Sequence, residues 1–420
     1  MVINGVKYAR DAFTNVPTSI LEKIPAQIYK APDHPLTVLK EKIISHLSMQ
    51  SPCVFKVREG FHPVVSTTAN FDSLLFPKDH PGRSQSDTYY INKDNVLRTH
   101  TSAHQMEVLR SKESLGYLLT SDVYRRDQID ATHYPVFHQM EGIRLFSDDE
   151  IKSLLKKWNA AEPKQALVID ETTIGPSNPK QDIHSEEQCQ VVVKELKSTL
   201  EGLFRHLFSH EKDLKIRWIE GYFPFTSPSY EMEVFYQGEW LELCGCGVIQ
   251  QKILDDSGNQ EKVGWAFGLG LERIAMFLYQ IPDIRLFWSQ DPRFTSQFSR
   301  ALDQKQQRML FKPFSKYPVC YKDISYWCPE NYHENDLHEI VRSTAGDIVE
   351  DVRLVRLSQL SKSYLTEEID TFVHPKSKRT SRCYRINYRS MERTLQNEEI
   401  DVLQDKIVNR VIKELGVEVR

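Results

Sequence analysis

The sequence predicts an α+β fold: an antiparallel sheet flanked by helices over residues 1–290, a linker over 291–320, and a small βαββαβ domain over 321–420. Three observations predict it. Apolar residues recur at helical spacing in a few long segments. Between them lie strand-like runs with turn residues at their ends. After a Pro-punctuated stretch the pattern restarts as strand, helix, strand, strand, helix, strand.

Asp33 to Ser48 carries Leu36, Leu39, Ile43 and Leu47 at spacings of three and four, with Pro35 where a missing N–H costs little. Val64 to Asn95 is rich in Thr, Asp and Pro and reads as loops with short strands. Val96 to Gln105 leads into a second helix bearing Met106, Leu109 and Arg110. Leu118 to Phe146 alternates strand and loop. Ser147 to His184, with an acidic run and Thr-Ile-Gly-Pro-Ser-Asn-Pro, reads as a surface insertion. Glu187 to Ser209 is helical, with Val192, Leu196, Leu200, Leu203 and Leu207 on one stripe. Ile216 to Phe225 and Ser229 to Gln250 read as strands of a mostly antiparallel sheet, Gly264 to Gly270 as another, and Leu271 to Gln280 as a helix. Pro282, Pro292 and Pro313 mark the linker, across which hinge motion is expected. Beyond it, strands near 323–328, 349–357, 382–388 and 417–420 alternate with helices over 335–344 and 398–415, an order that suits a split βαβ sandwich of ferredoxin-like type.

Composition excludes several classes. Apolar residues are 40%, charged residues 27% and aromatics 10% of 420 residues, which is globular rather than disordered. The most apolar segment, Val263 to Tyr279, is broken by Glu272 and Arg273, so no membrane partner is expected. With 54 Lys and Arg against 58 Asp and Glu, any nucleic-acid contact needs a local patch. Seven scattered cysteines argue against a disulfide framework, and Cys244-Gly245-Cys246 lacks the second pair that a structural zinc site requires. The N-terminus has no hydrophobic signal core, and Asp11 and Glu22 argue that a transit peptide is absent or removed.

Four segments concentrate polar side chains between apolar flanks. His100-Thr101-Ser102-Ala103-His104-Gln105 can donate and accept around a zwitterion, and it also reads as a polar helix start capped by Thr101 or Ser102. Tyr124-Arg125-Arg126-Asp127, Thr132-His133-Tyr134 and Phe137-His138-Gln139-Met140-Glu141-Gly142 form a hairpin. There Gln139 and Glu141 share a face, and Arg125 suits a phosphate; a surface hairpin with an ion pair is the alternative. Phe223 and Phe225 flank Pro224 on one face of an extended segment, facing either a ligand ring or the core. Trp265-Ala266-Phe267-Gly268-Leu269-Gly270-Leu271-Glu272-Arg273 is no dinucleotide fingerprint, because Arg273 stands where the last Gly would be. Its glycines permit close approach at a strand-to-helix junction.

Together these motifs resemble the catalytic core of class II aminoacyl-tRNA synthetases. In particular they resemble the phenylalanyl-tRNA synthetase family in its single-chain organellar form. Tyr124-Arg125 with Phe137 to Gly142 looks like motif 2, and Gly268-Leu269-Gly270-Leu271-Glu272-Arg273 like motif 3. His100-Thr101-Ser102, Phe223-Pro224-Phe225 and Ile281 to Trp288 match that family's own signatures. Motif 1, near Phe55 to Asp72, is weakly defined, which goes with a monomer. The resemblance implies ATP and L-phenylalanine as substrates, tRNA(Phe) as partner, Mg²⁺ with ATP, and an organellar setting, the mitochondrial matrix or a plastid. It implies that Arg125 holds the α-phosphate and the attacking carboxylate, and Arg273 the γ-phosphate, with Glu242 near the Mg²⁺. Ser102, Gln139 and Glu141 would bind the ammonium, and His133 and Gln105 would lie near the adenylate. Phe223 and Phe225 would pack on the ring, with Ala266 and Phe267 completing the pocket. His100, Ala103, His104, Thr132, Tyr134 and Met140 complete the expected substrate site.

The last domain carries Lys376, Lys378, Arg379, Arg382, Arg385, Arg389 and Arg393 against the single acid Glu392 between residues 376 and 393. Tyr384 and Tyr388 interleave, as if to stack on bases. By the resemblance, Lys378, Arg379, Arg382, Arg385 and Arg389 would meet the tRNA anticodon stem and loop. Two rivals remain: an RNA-binding relative without catalysis, and a small-molecule ligase that forms adenylates without tRNA.

Overall fold

The computed structural model describes residues 1–50, 53–160, 168–211, 213–236, 238–298, 309–313, 317–355 and 371–420. An eight-stranded sheet carries the larger part of the chain. Its strands are β1 (Phe55–Glu59), β2 (Gly116–Tyr124), β3 (Val136–Phe146), β4 (Val168–Asp170), β5 (Lys215–Glu220), β6 (Thr226–Tyr236), β7 (Glu239–Ile249) and β8 (Val263–Gly270). The spatial order is β1-β2-β3-β8-β7-β6-β5-β4. From β2 to β5 every pair is antiparallel, and at each margin β1 and β4 join in parallel. Parallel neighbours need a long crossover. The one between β1 and β2 carries a three-stranded sheet of Val64–Ser66, Tyr90–Asn92 and Asn95–Leu97.

Long helices cover one face of the large sheet: α1 (Pro35–Gln50), α4 (Glu186–Leu207) and α5 (Leu271–Tyr279). Their apolar stripes enter the main core with Trp265, Phe267 and Met140. Leu36, Leu39, Ile43 and Leu47 of α1 are buried, as their spacing requires, and each such side chain contributes about 2 kcal/mol. Ser185 caps α4 by accepting from the Gln188 N–H at 3.1 Å. The opposite face is floored by a second cluster in which Leu119, Ile143, Ile249 and Ala266 meet Met106 and Leu109 of α2 (Gln105–Ser111). The expected surface insertion is partly structured. It opens with α3 (Asp148–Ala160), whose Ile151 is buried, and includes the margin strand β4; residues 161–167 lie outside the described residues.

Phe294 and Phe298, within the expected linker, are buried in the main core; residues 299–308 and 314–316 of that stretch lie outside the described residues. The C-terminal sheet contains β9 (Cys320–Trp327), β10 (Val349–Leu354), β11 (Phe372–Val373), β12 (Thr380–Tyr388) and β13 (Glu418–Val419). Its order is β10-β12-β9-β13, with β11 on β12, and it packs against α6 (Glu334–Ala345) and α7 (Asn397–Leu415). Of the strand expected to reach Leu357, residues 356 and 357 lie outside the described residues.

β12 corrects one expectation. Tyr384 and Tyr388 are fully buried with Leu337, Val341, Ile407 and Val411, so they belong to the core and do not present rings to a base. Side chains two apart on a strand share a face, and the helices cover this one. Arg382 lies on that same face near the strand's start, bonded to the Tyr384 hydroxyl at 3.1 Å and to Glu334 at 3.4 Å. Arg385 stands on the other face, paired to Asp323 by two 2.8 Å bonds and lying over the Tyr321 ring at 4.2 Å. The basic residues thus do not form one face. Arg389 pairs with Glu350 at 3.3 Å and Arg379 with Glu418 at 2.7 Å, while Lys378 occupies a turn at φ 56°.

The two parts are docked. Ile129, in the loop between β2 and β3, joins the C-terminal core, and its carbonyl accepts from the Val352 N–H at 3.0 Å. Tyr89 donates to Glu339 of α6 at 2.7 Å, and Arg342 reaches both Glu339, at 3.0 Å, and the Asp127 carbonyl.

Candidate active site

β3, β8 and β7 lie side by side, and their registers decide what faces the cavity. Gly268 pairs with Glu141 and with Gly245; Gly270 pairs with Gln139; Ala266 pairs with Ile143 and Gly247. These residues therefore share the open face. Over them lies a cavity of about 400 Å³. It is lined by His100, Thr101, Ser102, Arg125, Thr132, His133, Tyr134, Gln139, Met140, Glu141, Phe223, Phe225, Glu242, Ala266, Phe267 and Arg273, among others. Thus all the expected residues of the hairpin and of the strand-to-helix junction come together, from segments up to 173 positions apart (100 to 273).

One end of the cavity is cationic. Arg125, just beyond β2, donates from Nε to the Thr99 carbonyl at 2.8 Å, and its guanidinium lies 5.2 Å from the Phe137 ring centre. Arg273, in the first turn of α5, donates to the Glu242 carbonyl at 3.3 Å. His133 is held by the Asp130 carboxylate at 2.8 Å, and this bond raises its pKa above the ordinary histidine value. The middle holds a buried carboxyl. Burial pushes the Glu141 carboxyl up to about 8, against a lowering by the Ser102 hydroxyl. Its Oε2 has no hydrogen-bond partner. Gln139 is anchored through Thr101, whose backbone N–H donates to its Oε1 at 3.3 Å.

The other end is aromatic. Phe223 and Phe225 are stacked, with centroids 5.8 Å apart and planes 25° apart. The expected strand stops at Glu220, and the pair stands on the turn before β6, where Pro224 supplies no N–H for a ladder. Gly245 makes room beneath them: a Cβ there would stand 2.6 Å from the tip of Phe223. His100 lies flat against Phe76, centroids 5.6 Å apart, and burial, then Arg125, brings its pKa down to about 3.

Some expected residues sit elsewhere. Ala103, His104 and Gln105 do not line the cavity. Ala103 packs in a small cluster with Phe71 and Val96. His104 stacks on Phe61 and contacts Arg98 at 3.2 Å, and burial, then Arg98, brings its pKa down to about 3. Gln105 is buried at the start of α2. These three follow the turn on which Ser102 faces inward, so helical geometry carries them behind it. Phe267 and Met140 line the cavity but stand at the other strand parity, and their side chains enter the main core. Residues not foreseen in the sequence include Phe76, from a loop-rich stretch without pattern, and Glu272, whose carboxylate accepts from the backbone N–H of His138 at 2.8 Å.

Comparison with known proteins agrees with this architecture. The family described as "tRNA synthetases class II core domain (F)" matches residues 20–160 and 186–298, and "Ferredoxin-fold anticodon binding domain" matches 315–420. The mitochondrial phenylalanine–tRNA ligase of Saccharomyces cerevisiae is 43% identical over all of this chain and 94% of its own length. The chain belongs to the mitochondrial-type phenylalanine–tRNA ligases. The Mus musculus mitochondrial member is 45% identical, covering all of this chain and 88% of its own. The Arabidopsis thaliana "chloroplastic/mitochondrial" member is also 45% identical, over all of this chain and 87% of its own. Phenylalanine–tRNA ligase architecture thus accounts for both sheets: the eight-stranded core that holds the cavity and the ferredoxin fold that follows it.

Proposed function

We propose that this protein activates L-phenylalanine with ATP and transfers it to the 2′-hydroxyl of the terminal adenosine of tRNA(Phe), as a monomer, in a mitochondrion or plastid. The observation that carries this reading is the gradient within one cavity: two arginines at one end, a buried carboxyl in the middle, and stacked phenylalanines over Ala266 at the other. A zwitterionic aromatic amino acid matches that order group by group.

In the first step the carboxylate oxygen attacks the α-phosphorus, the bond to the bridging oxygen breaks, and pyrophosphate leaves. Such a reaction needs positioning and charge stabilisation more than proton transfer. Arg125 holds the α-phosphate beside the carboxylate, and Arg273 holds the γ-phosphate. Glu141 supplies countercharge to the ammonium, with Ser102 and Gln139 as further partners. In the second step the ribose hydroxyl attacks the acyl carbonyl and AMP leaves.

The donor set fits Mg²⁺ arriving with ATP. Glu242 faces the cavity, and Glu231 beside it is raised by burial and then by the charge of Glu242, a repulsion that a cation relieves. Glu242 would hold the ion together with phosphate oxygens of ATP. The ion held there would supply neutralisation of the phosphate charge.

The basic residues of the C-terminal domain are proposed to meet the anticodon region of the tRNA, Arg385 from the face of β12 that the helices leave open and Arg389 from just beyond the strand's end. Phenylalanine-dependent exchange of pyrophosphate into ATP, measured without tRNA and compared with tyrosine, tests the reading. Exchange with phenylalanine and little with tyrosine is expected. A folded sample that binds tRNA and shows no exchange with any amino acid would move the reading to a non-catalytic RNA-binding protein.

A further inference from the structure

At the edge of the cavity lies a buried hydrogen-bonded pair, His138 and Glu272, that the proposed chemistry does not use. His138 belongs to β3, next to Gln139; Glu272 belongs to the first turn of α5, next to Arg273. Both are essentially inaccessible to solvent. The Glu272 carboxylate takes two bonds from the one residue: the His138 backbone N–H reaches Oε2 at 2.8 Å, and the ring Nδ1 reaches Oε1 at 2.6 Å. The ring is wedged between Tyr29 at 5.3 Å and Trp288 at 6.0 Å, and its Nε2 has no partner.

A buried carboxylate is costly unless its oxygens are satisfied. Here the donors come from a strand, and the carboxylate from a helix that starts at the end of the adjoining strand. We infer that Glu272 is a positioning residue: with His138 it clamps the strand presenting Gln139 and Glu141 to the helix presenting Arg273, holding the ammonium site and the γ-phosphate site at one fixed separation. The inference rests on the proposed amino-acid activation. In-line attack requires both substrates in register, and a misplacement of about 1 Å costs on the order of 100-fold in rate. The two bonds are redundant for folding the hairpin, whose ladder to β2 is complete from Gly116 to Tyr124. They bear instead on the angle at which α5 leaves β8: on the cavity side of that junction Gly268 and Gly270 add no side chains, while Leu269 and Leu271 are buried in the main core.

The test compares Glu272→Ala, Glu272→Gln and His138→Ala with wild type. Pyrophosphate exchange reads the rate, and calorimetry reads phenylalanine and ATP binding separately. In Glu272→Ala, kcat is expected to fall about 100-fold while the two separate dissociation constants stay within about threefold of wild type. Glu272→Gln keeps the shape and one acceptor, and should recover at least about tenfold of that loss. His138→Ala keeps the backbone bond and should lose about tenfold in kcat; it decides the matter if Glu272→Ala does not fold. Unchanged kcat, or binding of both ligands weakening in step with kcat, would overturn the clamp, because a purely structural role predicts that parallel loss. A wild type without phenylalanine-dependent exchange would instead sink the functional reading, a separate result.

Discussion

Glu141 shows how one residue's surroundings set its chemistry. Its carboxyl is buried, has Ser102 as donor, and is pushed up to about 8, so at neutral pH the empty site holds it mostly protonated. The ammonium of phenylalanine favours the ionised form. Binding should therefore release a proton, and the KM for phenylalanine should fall as pH rises from about 6.5 to about 8. Calorimetry in two buffers of different ionisation enthalpy measures that proton; equal heats in both would refute the coupling. The sign for stability is opposite. The folded protein holds a proton that the unfolded chain, with an ordinary value of 4.5, releases, so this residue's contribution to stability declines between about pH 4.5 and pH 8. Ala266 lies on the same face, backed by Ile143, Leu119 and Ile249. Its methyl is expected to be the wall at the para position. Ala266→Gly should raise activation of para-chlorophenylalanine relative to phenylalanine by roughly tenfold. An unchanged ratio in the exchange assay would place the wall elsewhere. The side-chain types of both residues are read directly from the sequence; that they share one face follows only from the register of β3 with β8.

At the scale of elements, helices were legible wherever one apolar stripe sufficed. α1 and α4 appear within about two residues of their expected bounds, since the 3.6-residue period and the caps act locally. The sequence pattern predicts a strand at the pair of phenylalanines, and they stand on a turn, because an apolar residue beside a proline satisfies both patterns. β12 illustrates the same limit. Strand parity announces two faces, yet which of them is covered depends on α6 and α7, far away in sequence. The open face singles out Arg385, and Arg389 follows just beyond the strand's end. Replacing both with Gln should weaken tRNA charging and reduce its salt slope by about 1 to 2, since each lost phosphate contact removes about 0.7 to 0.9. Exchange without tRNA should be unaffected, and loss of exchange would mean that the pair is structural.

For the whole molecule, the decisive feature is the seam between the two sheets. The proline-punctuated junction leads to the expectation of some hinge motion, and in this structure α6 is seated against the loop that follows Arg125. Glu339 accepts there from Tyr89 at 2.7 Å and from Arg342 at 3.0 Å, and Tyr134, which lines the cavity, donates to Asp347 at 2.7 Å. Removing the shared acceptor leaves buried donors unpaired, at a cost of about 1 to 3 kcal/mol each. Glu339→Ala should therefore populate undocked forms, seen as a larger radius of gyration in small-angle scattering. A curve superimposable on wild type would show that the remaining contacts suffice.

The sequence by itself determined the residue types at the site, the long helices and the order of the two domains, because these follow from side-chain chemistry and short-range periodicity. The tertiary structure alone decided which residues of different strands share a face, Glu141 with Ala266 but not Phe267, and which face of β12 the helices cover. It alone joined His138 to Glu272 and Tyr89 to Glu339, 134 and 250 positions apart. Such pairings depend on sheet register and on how helices close over it. Those are properties of the assembled chain, and no local pattern of residues encodes them.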